Sequence, residues 1–402
     1  VGEGPAWYDS IEFSAFVDAY FSLNYNFPKP QYDANFARAF DNDNGFALSW
    51  VGFDASYPAD PVGATLSLRF GPTARTIGSS CVTVTAGCDS GNGLENVDQG
   101  FVSWRPGGQE GSVVLDFGKF DTPYGAEVAE SHLNLNYTRG VLYWLAQPFF
   151  HTGLRATAEL GPSFDLKLLA VNGWNNSLDN NVGKSFGLQG TFHVAGQDSD
   201  LLSASIGYMV GPERDDVKSI TCAPNQVFDP DSATGCVAAP GELAFSSGFV
   251  DRASENTDGL RHFIDLVVLA DPTDDLHLVF NADLFLENLR DQSREGADLD
   301  SFSGISFWGI SAAAGYAVSD EFAIAVRGEY FSDPDGAATG YRGNEVNIVT
   351  GTLTLEFLPA DFLSLRLDNR IDWSDRTIFK KEIRDVTGTQ VTTTLGVVAH
   401  TN

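Results

Sequence analysis

Six histidines, at positions 132, 151, 193, 262, 277 and 400, are the natural starting point for acid–base or metal chemistry. Their spacing supports neither. No Gly-x-Ser-x-Gly elbow and no His-Glu-x-x-His motif occurs, so no nucleophile or zinc site announces itself. Ser and Asp are plentiful, but nothing in their spacing selects a pair for hydrolysis, and no enzymatic activity is expected. Three Asp-rich turns could offer oxygens to Ca²⁺: Asp41 with Asp43, Asp229 with Asp231, and Asp333 with Asp335. None completes a twelve-residue loop ending in Glu, so solvated turns are the simpler reading, and structural calcium in loops is the only cofactor left open. The four cysteines fall as two close pairs, Cys81 with Cys88 and Cys222 with Cys236, each in a polar stretch. That pattern reads as two loop disulfides in an oxidising compartment.

The elements that carry these residues are set by composition and period. The chain has 402 residues, with 54 Asp and Glu against 24 Lys and Arg, a formal charge of −30. Nucleic acid is excluded as a partner, because it demands clustered basic residues. Hydrophobic residues make up 43%, which excludes disorder, and 30 Phe and 41 Gly beside a single Met lean toward β structure. Val1 reads as the start of a mature chain after signal removal, or of a trimmed one. No run approaches the roughly 18 apolar residues of a membrane helix.

A barrel strand hides its hydrophobicity in alternation instead. From Ile11 to Phe27 every odd position is apolar, while Glu12, Ser14, Asp18, Ser22, Asn24 and Asn26 occupy even ones. The same period of two recurs in Leu276–Glu287, Phe322–Tyr330 and Leu363–Asp372. Strands are predicted near 11–27, 45–57, 63–71, 97–105, 111–120, 151–160, 164–173, 183–194, 201–211, 258–270, 275–287, 302–317, 321–332, 344–358, 362–373 and 388–398. The connections between them alternate strictly between long and short, as in an outer-membrane barrel. Aromatic residues mark both strand ends: Tyr57, Phe164, Tyr316, Phe322, Phe357 and Phe362 by the short turns, and Phe27, Trp174, Tyr330 and Trp373 by the long loops. The expected fold is all-β: one transmembrane antiparallel barrel over 1–402, with sixteen strands, or eighteen or fourteen. Its long loops are extracellular, its short turns periplasmic, and 212–257 is a long extracellular loop.

Gly118–Glu127 reads GKFDTPYGAE, followed by NLNYTRG at Asn134–Gly140, QPFFHTG at Gln147–Gly153 and VNGWNN at Val171–Asn176. This succession resembles the β-barrel porin-2 family described as OmpL-like, and is more loosely similar to phosphate-selective porins. The resemblance implies a Gram-negative outer-membrane channel, a homotrimer set in lipid and lipopolysaccharide, passing small hydrophilic solutes. Such chains usually end on an aromatic residue, and this one departs from the pattern with His400, Thr401 and Asn402.

The selectivity of a pore is set at its narrowest point by width and charge. The third long loop, Asp121–Phe150, carries Leu142, Tyr143, Trp144, Leu145, Phe149 and Phe150, which a solvated loop does not need. It is expected to fold into the lumen and form the constriction, with Asp121, Glu127, Glu130, His132 and Arg139 lining it. Parity puts Arg155, Arg327, Arg366 and Arg370 on the pore wall, with Arg327, Arg366 and Arg370 opposite the loop. The expected function is passive diffusion of small hydrophilic solutes or ions. The alternatives are a porin specific for a sugar or an anion, and a non-conducting barrel whose loops bind a partner.

Overall fold

The computed structural model describes residues 7–29, 31, 34–78, 94–179, 181–195, 200–213, 259–290, 302–341 and 343–401, with four short strand pieces between 217 and 254. Sixteen strands close into one antiparallel barrel. They are β1 (Glu12–Asn24), β2 (Gly45–Tyr57), β3 (Val62–Phe70), β4 (Val97–Trp104), β5 (Val113–Asp121), β6 (Phe150–Glu159), β7 (Phe164–Val171) and β8 (Ser185–Ala195). The circuit continues with β9 (Asp200–Pro212), β10 (Leu260–Thr273), β11 (Leu276–Arg290), β12 (Phe302–Ser319), β13 (Phe322–Asp333), β14 (Val346–Ala360), β15 (Leu363–Ser374) and β16 (Thr389–His400). Each strand pairs with its neighbour in sequence, and β1 closes on β16 with Phe16 opposite His400 and Asn24 opposite Thr392. No helix among the described residues is long and apolar enough to cross a membrane, which leaves the strands as the spanning elements.

Burial along the strands is inverted relative to a soluble β protein. On β15 the buried residues are Ser364, Arg366, Asp368, Arg370, Asp372 and Ser374, while Ile371 and Trp373 are exposed. On β1, Asp18, Ser22 and Asn24 are buried and Phe13 and Val17 exposed. The outer face is apolar: Phe46 is 90% exposed and Phe117 71%. An alternating chain folds this way only where the surroundings are lipid and the interior is polar.

The connections of two to eight residues at 58–61, 105–112, 160–163, 196–199, 274–275, 320–321 and 361–362 share one end. The longer ones, including 25–44, 71–96, 122–149 and 213–259, share the other. Strand positions agree with the sequence period, with one shortening. β1 stops at Asn24 because the chain turns through Phe27, which sits at φ 50°. The aromatic girdle needs one correction. Trp174 does not face lipid; it packs inward edge-on to Phe263 and Phe285, under the Arg261 guanidinium.

Apolar clusters lie inside the barrel, beneath its long-loop end. One gathers Val141, Leu142 and Ala146 of the third loop with Phe285, Phe307, Phe331 and Ile348 of the wall. A second joins Tyr137 and Tyr143 to Phe16, Tyr20, Trp50 and Val398, and includes Phe40 of the first loop. A third sets Tyr124 against Leu169, Met209 and Phe263.

Candidate functional site

The segment 122–149 between β5 and β6 lies against the polar inner faces of the strands. Its middle is a short helix, Val141–Ala146, whose Val, Leu, Tyr and Ala side chains are buried. The helix starts where it does because Glu329 of β13 accepts hydrogen bonds from the Val141 and Leu142 N–H groups, both at 3.2 Å. A carboxylate at that end satisfies otherwise orphaned donors. Glu127 adds a bond from the Gly140 N–H at 2.8 Å.

Charged wall residues hold the rest of the segment. Arg327 Nη1 donates to Glu127 Oε1 at 2.6 Å and to the Thr138 carbonyl at 2.7 Å. Arg366 Nη1 donates to the carbonyls of Ser131 and Asn134, both at 2.6 Å. Arg370 Nη1 reaches the Arg139 carbonyl at 2.7 Å. Acids hold the donors: Asp18 accepts from Ser131 Oγ at 2.5 Å and Tyr137 OH at 2.6 Å, and Asp368 accepts from Thr138 N at 2.8 Å. Glu130 pairs with Arg69 at 2.7 Å, which also holds Asp54 at 2.8 Å.

This geometry corrects one expectation. Arg327, Arg366 and Arg370 do not stand across an opening from the loop; they are the wall on which the loop is mounted. Arg139 is also withdrawn from the lining, being buried with its guanidinium 4.2 Å above the Phe40 ring. Asp121, Glu127 and His132 are partly exposed, whereas Glu130 is buried in its pair with Arg69. His132 stacks on His400 with ring centres 4.8 Å apart, and burial beside that ring and Arg366 lowers its pKa to about 4. Arg155 is tied to Asp116 at 2.9 Å and lies over the Phe120 ring.

The sequence reading missed the first long loop. Ala34, Asn35, Ala37, Arg38, Ala39, Phe40 and Asp41 are all buried within the barrel. Arg38 bonds Asp372 at 2.8 Å and Thr392 at 2.9 Å. The available signal was an arginine set between Phe36 and Phe40 in a loop that also carries Asp33, Asp41 and Asp43. Also unanticipated are Val128 and Leu133, exposed apolar residues on the inserted segment, Leu133 at 66%.

The loop turns suggested for calcium have other partners. Asp41 lies 3.6 Å from Arg38. The Asp43 N–H donates to Tyr20 OH at 3.3 Å. Asp333 caps its own loop through Ala337 N and Thr339 N, and Asp335 accepts from Ser306 N. Asp229, Asp231, Cys81, Cys88 and Cys222 lie outside the described residues, as does the Cys236 side chain. Among the described residues no three His, Cys, Asp or Glu converge as a metal-binding group.

A family model described as "Putative beta-barrel porin-2, OmpL-like" matches residues 10–400. No curated protein matches the chain. Solved structures similar to it include OmpT of Vibrio cholerae, at 13% identity and TM-score 0.53 with 97% of each chain covered. The outer-membrane channel DcaP of Acinetobacter baumannii is similar at 10% identity and TM-score 0.54, again over 97% of each chain. An anion-selective porin from Comamonas acidovorans is similar at 11% identity and TM-score 0.54, covering 98% of this chain and 99% of that one.

Proposed function

The chain belongs to the OmpL-like β-barrel porin-2 family, an outer-membrane channel of a Gram-negative bacterium, and from that premise we propose that it passes small hydrophilic solutes and ions by passive diffusion through a lumen narrowed by 122–149. The observation that carries this reading is the polar inner face of a closed sixteen-strand barrel with that segment mounted on it. Two inserted segments, 122–149 and the stretch around Arg38, favour a narrow passage over a wide one. Val128, Leu133 and Glu127 of the inserted segment, with Asp121 at the end of β5, are the groups that solute would meet.

The sign of the selectivity follows from how the inner charges pair. Arg38, Arg69, Arg155, Arg261, Arg327, Arg366 and Arg370 each contact at least one carboxylate. Among the described residues, thirteen buried side chains are Asp or Glu and seven are Lys or Arg. The surplus is negative, so the pore prefers cations. Purified protein in planar bilayers tests the whole reading. Stepwise conductance that rises in proportion to salt is expected. Insertion without conductance would remove the diffusion reading, and saturation by one solute would make the pore substrate-specific.

A homotrimer fits the uneven wall. Strands β3 to β7 have eight to ten residues, whereas β10 to β15 have twelve to eighteen. Nine residues tilted at 45° rise only about 21 Å, short of the roughly 25 Å apolar band of such barrels. Neighbouring copies packed on the short wall would cover that mismatch. Cross-linking in native membranes should trap a three-subunit species, and a lone monomer would refute this.

A further inference from the structure

The connection 375–388, between β15 and β16, carries the opposite charge balance to the rest of the chain. It alone among the long connections has more Lys and Arg than Asp and Glu, in a chain of formal charge −30. Arg376, Lys380, Lys381 and Arg384 fall within nine positions of one another. The middle of the connection is a two-stranded hairpin, Phe379–Lys381 against Asp385–Thr387, with Lys381 opposite Asp385.

The hairpin is held at its root and at its turn. Phe379 is fully buried, edge-on to Phe36 and in the same apolar cluster as Val141 and Leu142. The Lys29 N–H donates to the Glu382 carbonyl at 2.6 Å, and the Glu382 N–H donates to the Asn26 carbonyl at 3.0 Å, so the turn is stitched to the chain leaving β1. Lys29, Lys380, Lys381 and Arg384 are thereby gathered at one rim, all exposed, with Glu382 and Asp385 as the acids among them. Ile383 and Val386 of the hairpin are exposed too, at 69% and 53%.

The wall beneath this rim is aromatic on its lipid side. β16 runs between β15 and β1. Trp373 of β15 stands opposite Thr389 at the start of β16, and the Tyr25 N–H, just past β1, donates to the Val391 carbonyl at 3.0 Å. Trp373, Tyr25 and Phe27 are all exposed. Cations above and amphipathic rings below are the complement of a lipid with an anionic headgroup. The long connections face out of the cell, and the anionic lipid of that leaflet is lipopolysaccharide, which carries phosphates on its innermost sugars.

We propose that Lys29, Lys381 and Arg384 bind the phosphorylated sugar headgroup of a lipopolysaccharide molecule whose acyl chains lie along Tyr25, Phe27 and Trp373. The site is on the outer rim of the barrel and stands whether or not the lumen conducts.

The full-length protein, refolded in detergent without lipopolysaccharide, is titrated with deep-rough lipopolysaccharide and with the same lipid after enzymatic dephosphorylation, and bound lipid is read by native mass spectrometry. Saturable binding of the phosphorylated form is expected, with the dephosphorylated form at least tenfold weaker. One basic group near an anionic headgroup is worth about fivefold in affinity. Lys381→Gln with Arg384→Gln should therefore weaken binding at least tenfold, and Lys29→Gln about fivefold. Lys184→Gln, the same change at an exposed lysine of another long connection, should leave it unchanged. The heat-modifiable band reports folding of each variant; should the double variant not fold, Lys29→Gln carries the test. Binding indifferent to the phosphates, or weakened equally by Lys184→Gln, overturns the site. So does a double variant that keeps its lipid while its zero-current potential moves toward cations, which would assign the basic rim to attracting anionic solutes.

Discussion

Glu127 and Arg327, 200 positions apart in the chain, meet at 2.6 Å inside the barrel. The same arginine holds Glu329 at 3.2 Å, and Glu329 receives the first N–H groups of the Val141–Ala146 helix. One guanidinium thus links the acidic arm of the inserted segment, the helix at its centre and the barrel wall. Placement of the segment depends on wall charges as much as on its own sequence.

Replacing Arg327 with Met removes this link and leaves Glu329 and Glu127 without their counter-charge. Loss of one partner of a buried pair costs about 3–5 kcal/mol, concentrated in the docking of the segment. Single-channel recordings should show a larger and noisier open level, while the folded band on gels persists because the strand ladder is untouched. An unchanged open level would mean that the tether does not set the passage.

Close approach of the segment also depends on a bare wall. Tyr137 lies on Gly396 so tightly that a Cβ there would fall 2.2 Å from its ring. Gly396→Ala should therefore push Tyr137 off Asp18 at a cost of about 1–3 kcal/mol. The expected result is faster protease cleavage within 122–149 of the folded protein, with Gly351→Ala, whose Cβ has its nearest contact at 3.7 Å, as the control. Equal cleavage in the two variants would contradict the packing.

Acidification should loosen the segment through His132. Its ordinary pKa is 6.5, and burial with the neighbouring His400 and Arg366 lowers it to about 4. The released segment binds the proton more readily than the docked one between these values. Docking is therefore at full strength above pH 6.5 and weakens as pH falls toward 4. Channel flicker should rise over that window in the native protein and stay flat in His132→Asn. The same rise in the variant would assign it to another group.

Orientation is testable from outside the cell. Cysteines introduced in 213–259 should react with an impermeant maleimide on intact cells, and cysteines at 274–275 should not, because the longer connections of such barrels face outward. Reaction at both, or the reverse, would contradict this placement.

The barrel was legible because period-two alternation is read strand by strand. Leu363 to Asp372 alone assigns each residue to lipid or lumen, and the turns and loops between such segments then give the strand count. That side chains of 121–150 need burial was legible from Leu142, Tyr143 and Phe150, which water would not tolerate in such density and which are buried. Partnership was not. Whether Arg366 faces water or captures the carbonyls of Ser131 and Asn134 depends on contacts spanning more than 230 positions, and alternation is silent on them. The same holds for Arg38, whose partner Asp372 is 334 positions away. The acid pair Asp265 and Asp283 was hidden for a simpler reason: parity read Asp283 as a lumen charge, but the register that sets Asp265 opposite it appears only once β10 and β11 are paired.

The central claim is that solutes pass through the lumen and that 122–149 sets its narrowest, cation-preferring point. The zero-current potential in a tenfold salt gradient measures this most directly. The native channel should give a cation-selective potential, and Asp121→Asn with Glu127→Gln should shift it toward anions. The matching change at Glu382 and Asp385, exposed in the outer loop, should shift it far less, because salt screens charges that stand in open water. Equal shifts at both places, or none at Asp121 and Glu127, would contradict the account.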